Sequence, residues 1–408
     1  MIDVASSMAR LDEPTQTAMK AASSVARMTA SAQPVSMNAM AGYEELCRTA
    51  IFGPAQSALW VSNWVSECKP DAIIATLYAD NGAILALPLE VVSIGPFRVA
   101  QFMGGRHANG NFPATALEWL PNATPRSLIP LLDAISRSRS DIDVVTLDRL
   151  LPELDRKLNP LLAFPSFNSP NVSLAGNLSG GFDATLERFN GNSKRRKYRS
   201  QSRKFDAAGP YRRIEAKTPD ETRALLDAFF AMKEARFRKA GIANVFADAR
   251  VRAFFYRLFA SALTQPVPRF MLHGLEVAGK FRAITGSSRC ENRLICEFGS
   301  IADDDLASVS PGGFLFFENI REACEQGFAI YDFSVGDEPY KRQWCDIEIQ
   351  HAEVLLPLTL KGHAFAFGLQ LNAKFKAYVK SRPAIWNLMK LVRRKMSSRD
   401  AKPAKETD

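Results

Sequence analysis

Twice along the chain the same order of elements recurs: hairpin, strand, glycine-bearing loop, helix, strand. That order restricts the topology more than any single motif does, because consecutive strands tend to pair and crossovers keep one hand. In the first half, Ala72 to Tyr78 and Ala83 to Val91 flank Asp80-Asn81-Gly82, a hairpin-turn sequence. Arg98 to Met103 reads as a strand, Gly104 to Pro113 as a loop, Arg126 to Arg137 as a helix and Val144 to Leu147 as a strand. In the second half a strand at Tyr211 to Ala216 and two helices, after Pro219 and over Asp248 to Leu263, precede the pattern. A hairpin from Arg269 to Ser287 turns at Ala278-Gly279-Lys280, and Arg293 to Gly299 is the third strand. The shared order has no residue-by-residue repeat beneath it.

The second loop carries the stronger chemical signal. Ser310-Pro311-Gly312-Gly313-Phe314-Leu315 reads as a helix start, with Ser310 as cap and Pro311 at the first helical position. Two glycines exceed what capping requires, so the N–H groups of Gly312, Gly313 and Phe314 are expected to hold an anion. The helix turns Phe316, Ile320, Ala323 and Cys324 to one face and stops at Gly327. A strand, Ala329 to Phe333, then runs into Gly336-Asp337-Glu338-Pro339-Tyr340-Lys341. This arrangement suits a phosphate-bearing cofactor beside reactive side chains.

At 408 residues the chain suits two domains, and its 47% hydrophobic and 23% charged content is that of a soluble globular protein. No apolar run approaches the roughly 20 residues of a bilayer span, so no transmembrane helix is expected. Residues 1–40 read as a disordered extension, because no uninterrupted apolar core of a secretory signal is present there. The six cysteines form no CxxC pair and no histidine stands at ligand spacing, which predicts free thiols in a reducing cytoplasm and no metal. The net charge of +9 gathers in two blocks, Lys194 to Arg199 with Arg203 and Lys204, and Lys374, Lys376, Lys380, Arg393, Arg394 and Lys395. Each alone reads as a solvated helix face; as sites they suit phosphates of a cofactor, RNA or an anionic membrane. The break between halves is expected in the Pro/Asn/Ser-rich stretch Pro160 to Asn177, and a helical tail from Gly362 runs to Pro383.

The order strand, two helices, three strands, loop, helix, strand resembles the GCN5-related N-acyltransferase (GNAT) fold. Gly104 to Asn109, Lys194 to Lys204, Ser310 to Gly313, Tyr331-Asp332-Phe333 and Asp337 to Cys345 resemble its tandem branch. That branch comprises the CelD/BcsL-type proteins associated with bacterial cellulose synthesis and their FemABX-like relatives. The likeness covers roughly residues 40 to 360. It implies an α+β fold of two tandem GNAT-like domains, with mixed, mostly antiparallel sheets flanked by helices and helices at the C-terminus. The expected division is 1–40 extension, 41–170 first domain, 171–360 acyltransferase domain and 361–408 basic helical tail. One departure stands out: Ser-Pro-Gly-Gly replaces the usual Gln/Arg-x-x-Gly-x-Gly/Ala pyrophosphate loop. The helix expected after Phe333 is also shortened or replaced by the polar cluster.

The resemblance implies acetyl-CoA or another acyl-CoA as co-substrate, bound by Ser310, Gly312, Gly313 and Phe314, and an amine or hydroxyl acceptor. Such transfer needs a base, a dipole on the carbonyl and a proton for the thiolate. Asp332, Asp337 and Glu338 are candidates for base or amine grip, Tyr340 for acid, and Lys341 for the donor's carbonyl or phosphates. Arg106, His107 and Asn109 are expected to line the groove that takes the acceptor, a small molecule or glycan precursor. His107 is also a candidate base near neutral pH, whereas His273 and His351 read as packing residues in strands. The expected location is the cytoplasm, peripheral at the inner membrane, with basic segments against the membrane or a polysaccharide synthase. Two rivals are an aminoacyl-tRNA-dependent FemABX-like transferase, the one reading that involves nucleic acid, and a non-catalytic polysaccharide-synthesis accessory.

Overall fold

The computed structural model describes residues 28–80 and 82–380. The first half contains strands β1 Thr29–Pro34, β2 Ala50–Ile51, β3 Ala72–Ala79, β4 Gly82–Ile94, β5 Phe97–Phe102, β6 Ala114–Ala116 and β7 Val144–Leu150. A small hairpin, β8 Glu153–Leu154 and β9 Lys157–Leu158, precedes the long strand β10 Ser166–Asn177. Helices α1 Met37–Cys47, α2 Ala58–Cys68 and α3 Pro125–Ser138 accompany them. The second half opens with helices α4 Gly181–Arg188 and α5 Gly191–Ala208. Then come β11 Tyr211–Glu215, helices α6 Pro219–Ala240 and α7 Ala249–Ala262, and strands β12 Phe270–Val277, β13 Lys280–Cys290 and β14 Arg293–Ile301. Helix α8 Pro311–Glu325, strand β15 Ile330–Val335, the short helix α9 Pro339–Arg342, strand β16 Ile347–Pro357 and helix α10 Leu360–Lys380 complete it.

Local chemistry accounts for these limits. Thr218 and Glu221 close a reciprocal capping box ahead of Pro219, and Gly241 ends α6 in the left-handed region. The β12–β13 hairpin turns on Ala278 and Gly279, at φ 52° and 72°, the pairing of positive angles that a two-residue turn demands. Helix α9 has only four residues, as the polar cluster suggested.

The main sheet runs β1-β3-β4-β5-β7-β16-β10-β15-β14-β13-β12-β11, with β2 and β6 attached beside β4. Each half contributes one parallel pair, β5 with β7 and β14 with β15; the other neighbours on the path are antiparallel. The order reads the same from either end once β1 is matched to β11, β3 to β12, β4 to β13, β5 to β14, β7 to β15 and β16 to β10. The halves have therefore exchanged their last strands. β10, from the first half, pairs with β15, and β16, from the second, pairs with β7. The stretch Pro160 to Asn177, expected as a break, thus holds a central strand. Pro170 is tolerated there because the register shifts between Asn168 and Val172, which removes the need for its missing donor.

The helices on one face come from both halves and share a core. Trp60 and Trp64 of α2 meet Phe254 of α7 edge-on, with centroids 4.8 and 4.9 Å apart. The extension expected to be disordered up to residue 40 is ordered from residue 28. Thr29 to Pro34 pairs with Tyr78 to Ile73, and Ser36 caps α1. An added edge strand satisfies its backbone in a way low aromatic content did not foretell. Residues 1–27, and the final basic segment with Arg393, Arg394 and Lys395, lie outside the described residues. Among the described residues no helix is long and apolar enough to cross a membrane.

Candidate acyl-donor and acceptor site

The parallel pair β14–β15 stays together for three residues, Arg293 to Ile295 against Ile330 to Asp332, and then the strands part. A cavity of about 560 Å³ lies farther along β14. Its walls are Gly299 to Asp303 of β14 and the following turn, Met232, Ala235 and Arg236 of α6, and the start of α8. Ser310, Gly312 and Gly313 line it as expected. Side chains there would displace neighbours: a Cβ on Gly312 would come within 2.8 Å of Ile301 Cγ2, and one on Gly313 within 2.8 Å of Ser310 Oγ.

The anchor differs in detail from the expected one. Ser310 does not cap α8 with its side chain; it sits in the left-handed region at φ 63°, where its hydroxyl lies beside Gly313 instead. The N–H groups of Gly313 and Phe314 both donate to the Ser310 carbonyl, at 3.0 and 3.2 Å, so they form the helix's first turn. The Phe314 ring is buried and stacks on Tyr198 at 4.6 Å, away from the cavity. What the site offers an anion is the Gly312 end of the helix, Ser310 Oγ and the cations Lys197 and Arg236 on the walls, while Lys239 is paired with Asp303. Lys197 belongs to the basic block, which forms α5 and is fixed to the loop by Gln201, whose amide donates to the carbonyls of Val309 and Ser310. That face of the block is built against the cavity and is not merely solvated.

Of the five residues expected to be catalytic, Tyr340 alone lines the cavity, stacked on Phe316 at 5.6 Å. Burial raises its hydroxyl pKa, so it remains a proton donor at neutral pH. Asp332 is buried in an ion pair with Arg293 at 2.7 Å and accepts from Ser173 and the Ser334 N–H. Lys341 is buried and donates to the carbonyls of Ser334, Val335 and Gly336 and to Glu338. Asp337 pairs with Arg342 at the surface. The charged cluster is therefore mainly the lock of a turn; sequence proximity put these groups together, and their side chains point to different places.

A carboxylate that the sequence reading did not single out is Glu297, which lines a second hollow. The register of β14 against β13 shifts between Gly286 and Ser287, leaving Glu297 as the extra residue of a bulge. A bulge turns its side chain out of the plain alternation, into a hollow of about 90 Å³ between the halves. Ser288 Oγ donates to one carboxylate oxygen at 2.5 Å, and Asn109 Nδ2 of the first half to the other at 3.4 Å. Burial pushes the Glu297 carboxyl up to about 7, against the pull of those two donors. The available signal was one glutamate in the apolar run Leu294-Ile295-Cys296-Glu297-Phe298.

Arg106, His107 and Asn109 all line this hollow. His107 is not poised as a base: it lies among Trp64, Phe246 and Phe255, and burial lowers it to about 4, so it is neutral. Arg149 Nη1 holds the loop by donating to the carbonyls of Arg106 and Ala108 and to Asn109 Oδ1. His273 and His351 are buried in strands, as expected; their ring nitrogens make no hydrogen bond among the described residues, though His273 Nε2 lies 3.6 Å from Glu322.

In the first half the corresponding gap, between β5 and β7, is closed. Asn111 bridges to Leu150, its N–H donates to Arg149 O and its side chain to Asp148 O at 2.7 Å. The two halves share a fold, and the larger cavity described above lies in the second.

No curated protein sequence matches the chain. Residues 192–342, from α5 to α9, match the family described as acetyltransferase (GNAT) domain. Among solved structures, FemX aligns at TM-score 0.56 and 10% identity over 80% of this chain and 97% of its own. The C-terminal domain of a putative lysylphosphatidylglycerol synthetase from Agrobacterium fabrum aligns at TM-score 0.49 and 11% identity, covering 81% of this chain and 94% of its own. A tandem GNAT protein from the clavulanic acid biosynthesis pathway aligns at TM-score 0.40 and 12% identity, covering 80% and 98%. At 10% identity the FemX likeness speaks for the fold alone. The fold of this chain is GNAT-like, and its second half carries the segment that matches the GNAT acetyltransferase domain.

Proposed function

We propose that the chain is an acyltransferase that moves an acyl group from acyl-CoA, acetyl-CoA in the first instance, to an amine. The observation that carries this reading is the arrangement along one strand: β14 walls the donor cavity at Gly299 to Ile301 and, two residues earlier, aims Glu297 into the hollow. The donor's phosphates rest on Ser310, Gly312, Lys197 and Arg236, with its pantetheine arm in the gap between β14 and β15. Glu297 takes the proton from the incoming ammonium. The amine nitrogen attacks the thioester carbon, the C–S bond breaks, and the departing thiolate receives a proton from Tyr340. Backbone N–H groups of β14, freed where β15 has turned away, face the carbonyl oxygen.

An acyl-CoA donor implies work in the cytoplasm, where coenzyme A is found. A role in cellulose or envelope polysaccharide synthesis rests on the CelD/BcsL-type likeness of Gly104 to Asn109 and Asp337 to Cys345. The reading is tested by titrating acetyl-CoA in a calorimeter. Saturable binding that Gly312→Trp abolishes is the expected result; absence of heat with acetyl-CoA and with longer acyl-CoA would remove the donor and the mechanism together.

A further inference from the structure

The hollow beside Glu297 has walls of Trp60, Phe246, Phe255, Phe259, Phe270 and Phe298. At about 90 Å³ it has room for roughly three waters at liquid density. A sugar nucleotide or a polymer backbone is too large to be enclosed by it; a small apolar group is not. Only four lining residues are polar or charged, and they are not interchangeable. His107 is a neutral ring within the aromatic cluster, and Asn109 is occupied with Glu297. The two that remain carry opposite charge: Glu297, and Arg106, whose exposed guanidinium has no carboxylate within ion-pair distance among the described residues. The Arg106 main chain is held by Arg149 at 2.7 Å, so this side chain projects from a fixed loop.

An arginine with no ion-pair partner among the described residues and a carboxylate, both lining one aromatic hollow, match a ligand with the reverse charges and an apolar body. Resting on the acyltransferase reading above, we propose that the acceptor is a free α-amino acid with an apolar side chain. Its carboxylate pairs with Arg106, its ammonium meets Glu297, and its side chain fills the aromatic hollow. In the reaction the ammonium gives one proton to the Glu297 carboxylate and the resulting amine forms the new N–C bond. The C–S bond breaks, the second proton leaves nitrogen as the amide forms, and the thiolate is protonated through Tyr340. The products are an N-acyl amino acid and free coenzyme A thiol, with the Glu297 proton returned to solvent. A guanidinium pairs with a carboxylate through two parallel hydrogen bonds, so removing the carboxylate discriminates strongly.

The test follows product formation by chromatography with acetyl-CoA and three acceptors of one shape: L-leucine, L-leucinamide and isoamylamine. N-Acetyl-leucine is expected, with kcat/KM at least tenfold above that for the amide and the amine. Arg106→Gln is expected to raise KM for leucine at least tenfold and to erase that preference, Arg106→Lys to restore part of it, and acetyl-CoA binding by calorimetry to be the same in all three proteins. Equal use of leucine and leucinamide overturns the carboxylate recognition while leaving the acyltransferase standing. Acetyl-CoA binding without acylation of leucine, phenylalanine or valine overturns the acceptor class. Failure to bind acetyl-CoA overturns both readings at once.

Discussion

Glu297 shows how one residue's setting determines its chemistry. Asp337 has a guanidinium beside it, and that partner holds its carboxyl below the ordinary value. Glu297 has two neutral donors and little water, and it is pushed up to about 7. As pH falls through 7 the base is lost, so kcat/KM is expected to decline on the acid side with an apparent pKa near 7. Glu297→Gln should lower kcat/KM by roughly 10²–10⁴-fold and flatten that limb. Stability carries the opposite sign. The folded state holds this proton above the unfolded carboxyl value of about 4.3, so Glu297 lowers stability as pH rises from there to 7. Urea denaturation at pH 5 and pH 8 should show a larger loss for the wild type than for Glu297→Gln. An equal loss in both would mean that the carboxyl titrates normally. Lys341 belongs to the same scale but to another role. Its Nζ serves three turn carbonyls, so Lys341→Met should cost on the order of 2–4 kcal/mol. Glu338→Gln, with its side chain 49% exposed, should cost less than about 1 kcal/mol.

Helix α8 carries the proposed donor site, and its start leaves little room for a side chain. Gly312→Ala already requires Ile301 to move, because the added Cβ would stand 2.8 Å from that side chain. Acetyl-CoA affinity should fall measurably with alanine and disappear with tryptophan, while α8 itself, anchored by Phe314 and Leu315 in the core, persists by circular dichroism. This helix was legible in the sequence because Pro311 at its first position and Gly327 just past its end are local signals. The left-handed Ser310 was not, since a serine before proline reads as an extended cap, and its actual angle is set by the 3₁₀ turn of Ala307 to Val309 that precedes it. The bulge at Glu297 was invisible for a similar reason. It exists only in the register of β14 against β13, and alternation along β14 alone reads as a plain strand. The crowd of charges after Phe333 misled in the other direction. The residues Gly336 to Arg342 after the strand fold into one turn, where Lys341 binds carbonyls and Arg342 binds Asp337, and of these only Tyr340 reaches the cavity.

Exchange of the last strands turns two copies of a fold into one sheet, and the consequence is energetic coupling between the donor site and the opposite half. Asn109 of the first half holds Glu297 of the second, and this contact survives only while the halves keep their register. β16 sets that register: it leaves the donor domain, pairs with β7 and β10, and buries Val354 in the first half's core. Val354→Ala removes two methyl groups from a site with no exposed surface, at a cost of about 2 kcal/mol. If the halves unfolded independently, hydrogen exchange would quicken in the strands around Val354 and nowhere else. A shared sheet predicts that protection also falls, by a similar factor, in β14, β15 and α8, because losing β16 exposes the edge of β10 and then of β15. The same variant should weaken the hold of Asn109 on Glu297 and lower kcat/KM without altering acetyl-CoA affinity by more than a few-fold. Exchange that rises only in β3 to β7 would show the continuous sheet to be two units in contact, with the acceptor hollow a seam between them and not a site they build together.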